Sequence, residues 1–272
     1  MALSLITNIG SLIASNALTD NQNALNTSIA QLSTGQRIVT AATDPGGLSI
    51  ATETSGLLGA LNQASSNATN AQAFLQTADG ALSNIGNLLQ TAQQLATEAA
   101  DGSYNGSQLT SIDSQYQAIL TSINQIANGA SFNGISLLTG ASVTFQVGAT
   151  NTANDQLAVT IAKADTTTLA VNGTSLTSQA NAQAALTKVT SALAAIAGDR
   201  DTVGSAEQSL TAVSNNLQST EQNLTSALSN VADTNVAQTY ATFTKESVLQ
   251  QAGVQVLKQA EQTPSQLVAL FQ

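Results

Sequence analysis

Residues 71–99, AQAFLQTADGALSNIGNLLQTAQQLATEA, decide the fold. Ala71, Ala78, Ile85, Ala92 and Ala99 recur every seven residues, and Leu75, Leu82, Leu89 and Ala96 form a second row four residues on. Upstream, the first row runs back through Ala64 and Leu57 to Ile50, and the second through Ala68 to Leu61. A seven-residue apolar period draws one narrow stripe along a long helix, the pattern of helices packed along a seam. The rule returns at Val189, Ile196, Val203, Leu210, Leu217, Leu224 and Val231. Two such helices, far apart in sequence, predict a mainly α fold: a long antiparallel helical rod built from both ends of the chain. A rod points toward assembly or mechanical work more than toward a reaction.

Working outward, Leu48–Ala100 is expected to form one helix, about 80 Å long at 1.5 Å per residue. Gly80 and Gly86 weaken it locally by roughly 1 kcal/mol each, and Asp101-Gly102 ends it. A second helix is expected near Ser107–Asn128, striped by Leu109, Ile112, Tyr116, Ile119, Ile123 and Ile126. The period then changes. Asn133-Gly134 is a turn signal; 142–147 and 156–161 alternate like strands; Leu169–Thr174 reads as a further hairpin around Asn172-Gly173. From about Gln179 to Val231 the third long helix returns.

Both chain ends are amphipathic. Residues 1–33 carry Ile6, Ile9 and Ile13 on one stripe and Leu18, Leu25, Ile29 and Leu32 on another. A last helix over about Val236–Glu261 carries Tyr240, Phe243, Leu249, Val256 and Leu257, with Pro264 marking its end and Leu267 and Leu270 beyond. The expected organisation pairs 1–33 with 236–272 as a terminal-helix domain. Residues 34–47 and 232–235 are connectors, and 48–231 form the helical rod, with a β section over about 130–178. The rod alone cannot cover both terminal helices, so the stripes are expected to be buried against copies of the same chain.

Composition narrows the chemistry. Of 272 residues 42% are hydrophobic but only 3% aromatic, so the core must be Leu, Ile, Val and Ala. Only 8% are charged, against about 25% in ordinary domains. A surface of Ser, Thr, Asn and Gln makes contacts that salt and pH change little, which suits self-packing in an uncontrolled medium. The net charge is −10, and Arg37, Lys163, Lys188, Arg200, Lys245 and Lys258 form no patch, against nucleic-acid binding and a polybasic membrane anchor. No apolar run approaches a membrane span. The first positive charge is Arg37, so no Sec-type signal is expected and export would use another route.

With no Cys and no His, disulfides, thiol chemistry, the commonest zinc sites and the His-based catalytic triads are excluded. No P-loop, dinucleotide or GxSxG motif stands between a strand and a helix. Asp199 and Asp201 flank Arg200, but near neighbours on a helix do not face each other, so they read as a solvated face. No catalytic residue, cofactor or metal is assigned. Asn-x-Ser/Thr sequences at Asn26, Asn67, Asn105, Asn172 and Asn223 are chance in so Asn- and Thr-rich a chain. Thr166, Thr167, Thr168, Thr174 and Ser175 cluster in the expected outward loop, where O-linked sugar would fit.

These residues resemble a bacterial flagellin over nearly the whole chain. The likeness lies in Leu32-Ser33-Thr34-Gly35-Gln36-Arg37-Ile38, Gly47-Leu48-Ser49-Ile50-Ala51 and Gln76-Thr77-Ala78-Asp79-Gly80-Ala81-Leu82. It continues in Phe132-Asn133-Gly134 with Leu137-Leu138, in Phe145–Ala149, at Arg200 and Gly204, and in Leu249–Ala252 with Leu257. The resemblance implies a filament subunit whose paired terminal helices line a central channel. It also implies export by the flagellar type III apparatus, with a chaperone as a further partner, and assembly beside cap and hook-associated proteins. The hook–filament junction protein is the alternative within the same architecture. The short middle implies a minimal outer surface. Ile6, Ile9, Ile13, Leu25, Ile29, Leu32, Leu249, Val256, Leu257, Leu267 and Leu270 are the expected assembly residues. The chain departs from the family at Asp44-Pro45-Gly46-Gly47, at Gln208-Ser209-Leu210 and at Ser229-Asn230-Val231, each lacking a charge usual there. Thr91 stands near where receptor-activating flagellins carry Arg. Reporter cells bearing the toll-like flagellin receptor are therefore expected to respond weakly; normal activation would refute this.

Overall fold

The computed structural model describes the backbone of residues 8–270 and the side chains of residues 8–262. The described chain is helical at both ends and β only in the middle. Helices α1 (Ile9–Thr34), α2 (Pro45–Ala99) and α3 (Gly106–Gly129) come first. Strands β1 (Ser131–Phe132), β2 (Ile135–Ser136), β3 (Ser142–Gln146) and β4 (Gln156–Thr160) follow, then α4 (Gln179–Ala232) and α5 (Val236–Leu270). Two compact units divide the chain, one made of residues 1–58 with 223–272 and the other of residues 59–222.

In the unit of residues 59–222 the heptad stripe is the core. Leu75, Ala78, Leu82, Ile85, Leu89, Ala92, Ala96 and Ala99 have no solvent exposure. Facing them are Val189, Ile196, Val203 and Leu210 of α4 and Leu109, Ile112, Tyr116 and Ile123 of α3. The two long helices run antiparallel: Asp79 pairs with Arg200, Gln93 donates to Thr190, and Gln179 donates to the Ala100 carbonyl. Small side chains permit close approach, and Gly86 lies where an added Cβ would be 3.8 Å from Ile196 Cγ2. An Asn105–Gln108 capping box starts α3 by satisfying reciprocal backbone donors.

The strands appear where alternation placed them. β3 and β4 pair antiparallel from Ser142↔Thr160 to Gln146↔Gln156. β1 and β2 form a two-residue hairpin whose Asn133 and Gly134 take φ of 48° and 79°, the left-handed pair that such a turn requires. Phe74 of α2 meets Phe132 and Phe145 edge-on at 5.9 and 5.4 Å, anchoring both hairpins to the helix.

Three sequence expectations are corrected. Leu169–Thr174 forms no hairpin. Leu169, Val171 and Leu176 are buried, and the Thr166 carbonyl accepts from both Val171 and Asn172, winding the segment into turns. The left-handed residues are Ala170 and Gly173, not Asn172. Helix α5 does not stop before Pro264 but runs on to Leu270. Proline removes the N–H that would bond the carbonyl four residues earlier, and the Asn8 side chain supplies a donor to that carbonyl, Ala260 O, at 2.7 Å. Finally, Ile50 and Leu57 do not enter the core: Ile50 is 56% exposed. Helix α3 has 24 residues against the 55 of α2, about 36 Å, and the first stripe residue of α2 to be buried is Leu61.

Leu82→Ala is expected to cost about 2–5 kcal/mol by leaving a cavity, whereas Ile50→Ala should stay within about 0.5 kcal/mol in the monomer. Urea unfolding of the two variants checks both; equal costs would contradict the assigned limits of the core.

Candidate assembly surface

In the unit of residues 1–58 with 223–272, α1 and α5 lie antiparallel. Asn21 donates to the Glu246 carbonyl at 2.8 Å, the Ser28 hydroxyl to the Glu246 carboxylate at 2.7 Å, and Gln250 to Gln22. From Asn8, which donates to the Ala260 carbonyl, to Asn21, which donates to that of Glu246, thirteen residues along the first segment match fourteen residues back along α5, as antiparallel helices demand. The contact uses polar groups and small residues: Gly253 sits where an added Cβ would be 3.3 Å from Leu18 Cδ1. Only Leu25 and Ser28 of α1 are buried by it.

The rest of the apolar surface stays outside. Ile9 is 60% exposed, Ile13 64%, Ile29 47%, Leu249 49% and Val256 57%. Leu12, Val236, Tyr240, Val248 and Val254 are exposed as well. Ile50 and Leu57 add the uncovered beginning of the α2 stripe, and Leu224 and Val231 of α4 are only half-buried. Among the large exposed hydrophobic residues described, Ile135 alone belongs to the other unit. An apolar cleft of about 330 Å³ lies between α1 and α5, lined by Ala14, Leu18, Leu249, Gly253 and Val256 among others.

Of the residues singled out in the sequence, Leu25 is turned inward and holds the pair together, while Leu32 and Leu257 are half-buried. Ile6 lies outside the described residues, and so do the side chains of Leu267 and Leu270. The reading of the sequence missed Leu12, Val236, Val248 and Val254. They widen the exposed apolar surface beyond the residues recognised in the sequence.

The expected outward Thr/Ser loop is partly inward. Burial pushes the Tyr116 phenol pKa up, against a bond with the Thr174 hydroxyl at 2.6 Å. The buried Thr174 hydroxyl also donates to the Val171 carbonyl, and the buried Thr166 hydroxyl donates to Asn124 Oδ1. Neither hydroxyl is available for a sugar. Thr167 and Thr168 are exposed and Ser175 is half-exposed. Asp199 is half-buried, not simply solvated: burial raises its pKa, opposed by the Ala162 N–H. Arg200 turns away to grip Asp79 through two bonds of 2.7 and 3.1 Å. Among the described residues no group of acidic side chains could hold a metal ion, and no helix is long and apolar enough to cross a membrane.

The Asp165 carboxyl is drawn down from 3.8 to about 2, first by Lys163 at 2.8 Å, then by the Thr168 side chain, and further by the Thr168 N–H, which donates to it. A depressed carboxyl stabilises the fold above its unfolded value and loses that contribution as pH falls through its folded value. Exchange of the Thr168 amide should therefore accelerate between about pH 4 and pH 2, and Asp165→Asn should remove that pH step. An unchanged step in the variant would rule Asp165 out.

The comparisons with known proteins identify the family. Residues 5–144 match the family model of the bacterial flagellin N-terminal helical region, and residues 186–271 that of the C-terminal helical region. A flagellin of Shigella flexneri is 35% identical over 218 residues, covering 78% of this chain but only 39% of that protein. A flagellin of Listeria monocytogenes serovar 1/2a is 28% identical over 281 residues, covering 97% of this chain and 98% of that one. The crystal structure of Bacillus cereus flagellin aligns with a TM-score of 0.50 at 30% identity, over 56% of this chain and 88% of that one. The matched regions meet the two heptad helices and both end helices, and this chain belongs to the bacterial flagellin family.

Proposed function

We propose that this chain is a structural subunit that polymerises into the extracellular helical filament of the bacterial flagellum, serving motility. The observation that carries the reading is the one-sided distribution of exposed aliphatic residues. Nearly all those described lie in the unit made of the two chain ends. Exposed apolar surface on that scale marks an interaction site. At about 25 cal/mol per Å², burying a few hundred Å² per contact supplies several kcal/mol, repeated along a lattice. Few charges mean that little desolvation opposes this burial.

In this reading residues 1–33 and 236–272 form the inner assembly domain, 34–47 and 232–235 the connectors and 48–231 the rod. Ile6, Ile9, Ile13, Ile29, Leu249, Val256, Leu267 and Leu270 meet neighbouring copies. Leu32 and Leu257 lie at the edge of that interface, and Leu25 keeps the pair in register. The flagellar type III apparatus, an export chaperone, and cap and hook-associated proteins are the further partners. Any O-linked sugar falls on Thr167, Thr168 or Ser175, whose hydroxyls solvent reaches.

Heat-dissociated protein, cooled with short seeds, should elongate into long tubes with a central channel under the electron microscope. Deleting residues 1–30 should abolish elongation while leaving a helical rod by circular dichroism. Intact filaments from the truncated chain would refute the terminal-helix interface. Seeds that stay short, with protein bound only at their ends, would establish the junction role instead.

A further inference from the structure

We infer that Arg37 is a positioning residue for assembly: it fixes the junction at which four helix ends meet and so sets how the α1–α5 pair leaves the ends of α2 and α4. The inference rests on the filament reading for its consequence, but its geometry stands alone.

The junction is built from few atoms. Helix α1 stops at Gly35, whose φ of 72° closes the helix with an N–H bond to the Gln31 carbonyl. The chain then turns against the end of α4. The Arg37 N–H donates to the Ala232 carbonyl at 2.7 Å, Thr234 N–H donates to the Gly35 carbonyl at 2.9 Å, and Gln36 and Asp233 form an isolated antiparallel bridge. The Arg37 side chain does more than its backbone. Its Nε donates to the Val231 carbonyl at 2.9 Å, and its terminal nitrogen reaches Asp44 Oδ2 at 3.1 Å. Its own carbonyl accepts from the Gln31 side chain at 2.7 Å. Arg37 therefore touches the end of α1, the end of α4 and, through Asp44, the beginning of α2.

The charges suit the helix ends. The last turn of α4 holds no basic residue and the first turn of α2 no acidic one. The exposed carbonyls of a helix C-terminus carry partial negative charge and the N–H groups of an N-terminus partial positive charge. Arg37 places its cation on the first, and Asp44 its anion on the second by accepting from the Gly47 N–H at 2.8 Å. The ion pair between them ties the two ends together. Gly47 leaves room for this cap: an added Cβ would run into the Asp44 carboxylate and stand 2.7 Å from Ile38 Cδ1, so a larger residue there would displace the carboxylate. A planar guanidinium reaches a carbonyl and a carboxylate along two fixed directions, which an ammonium cannot reproduce. Arg37 is nearly half exposed, so exposed-pair energetics make it a minor contributor to global stability. Its value is directional.

The test uses the full chain with Arg37→Gln and Arg37→Lys, and a disulfide made by Gln36→Cys with Asp233→Cys. Antiparallel partners lie about 4.5–5.5 Å apart at Cα, within disulfide reach, and the chain has no other cysteine. Arg37→Gln should leave the urea midpoint unchanged. It should also speed amide exchange in peptides spanning 31–48 and 228–239 by about tenfold, the loss of one charge-assisted hydrogen bond. Elongation from wild-type seeds should slow by a similar factor, Arg37→Lys should fall between, and oxidising the cysteine pair in the Arg37→Gln chain should restore growth. Unchanged exchange at the junction, full activity of Arg37→Lys, or an oxidised pair that grows normally with Arg37 but fails to rescue Arg37→Gln would each overturn the inference. Wild-type protein that does not elongate would instead refute the filament reading, and the exchange measurement would still decide the role of Arg37.

Discussion

Close approach between α2 and its neighbours is the constraint on which the rest of the structure depends. The chain has five Phe and no Trp, so it cannot fill a wide interior with large rings. Its solution is a thin seam in which Ala71, Ala78, Ala92, Ala96 and Ala99 let backbones come near, while Leu75, Leu82, Ile85 and Leu89 fill what remains. A thin seam buries little per residue, so it must be long, and the two longest helices run to 55 and 54 residues. One aromatic cluster, Phe74 with Phe132 and Phe145, sits where the seam needs a different filler because α3 has ended and the hairpins take over.

Length has a consequence. α3 and the β3–β4 hairpin are shorter than the helices they cover, so the stripe outruns its cover. Beyond Leu61 the same period continues through Leu57 and Ile50, which are 37% and 56% exposed. The α1–α5 pair then adds a second uncovered apolar surface in the same unit. Its contact is made by Asn21, Ser28, Gln22 and Gln250 as much as by carbon, which leaves Ile9, Ile13, Leu249 and Val256 unspent.

Periodicity made most of the fold legible. The seven-residue rows fixed α2 and α4, a 3-4-3-4-3 stripe fixed α3, and alternation found β3 and β4. Period identifies which face is apolar but not what covers it, and for that reason Ile50 and Leu57 look like core in the sequence while lying outside. Short-range turn signals are weaker still. Asn133-Gly134 and Asn172-Gly173 are the same dipeptide, yet only the first makes a hairpin. The second is held beneath Tyr116 and Asn124 by groups more than forty residues away. Pro264 misleads for a similar reason, since the donor that offsets its missing N–H belongs to Asn8, at the other end of the chain. The exposed aliphatic residues of the chain ends were readable as amphipathic stripes; the junction around Arg37 was not, because its carbonyl partners carry no side-chain signature.

The few charges show where pattern alone does not suffice. The ion pairs among the described residues are Arg37–Asp44, Lys163–Asp165 and Arg200–Asp79. Exposed pairs contribute about 0–1 kcal/mol, so Arg37–Asp44 and Arg200–Asp79 hardly alter the stability of a domain, whereas Lys163 pairs with a buried Asp165. Each stands where the apolar seam leaves a degree of freedom: the register of α4 against α2, the path of the 161–178 segment, and the meeting of helix ends. A heptad stripe resists separation of two helices but resists sliding by one heptad far less, since the apolar positions then face one another again. Arg200 against Asp79 breaks that degeneracy, because a one-heptad slip would part the pair by about 10 Å. In a chain that is otherwise nearly uncharged, charge acts chiefly on geometry, and the aliphatic seam is left to supply the stability.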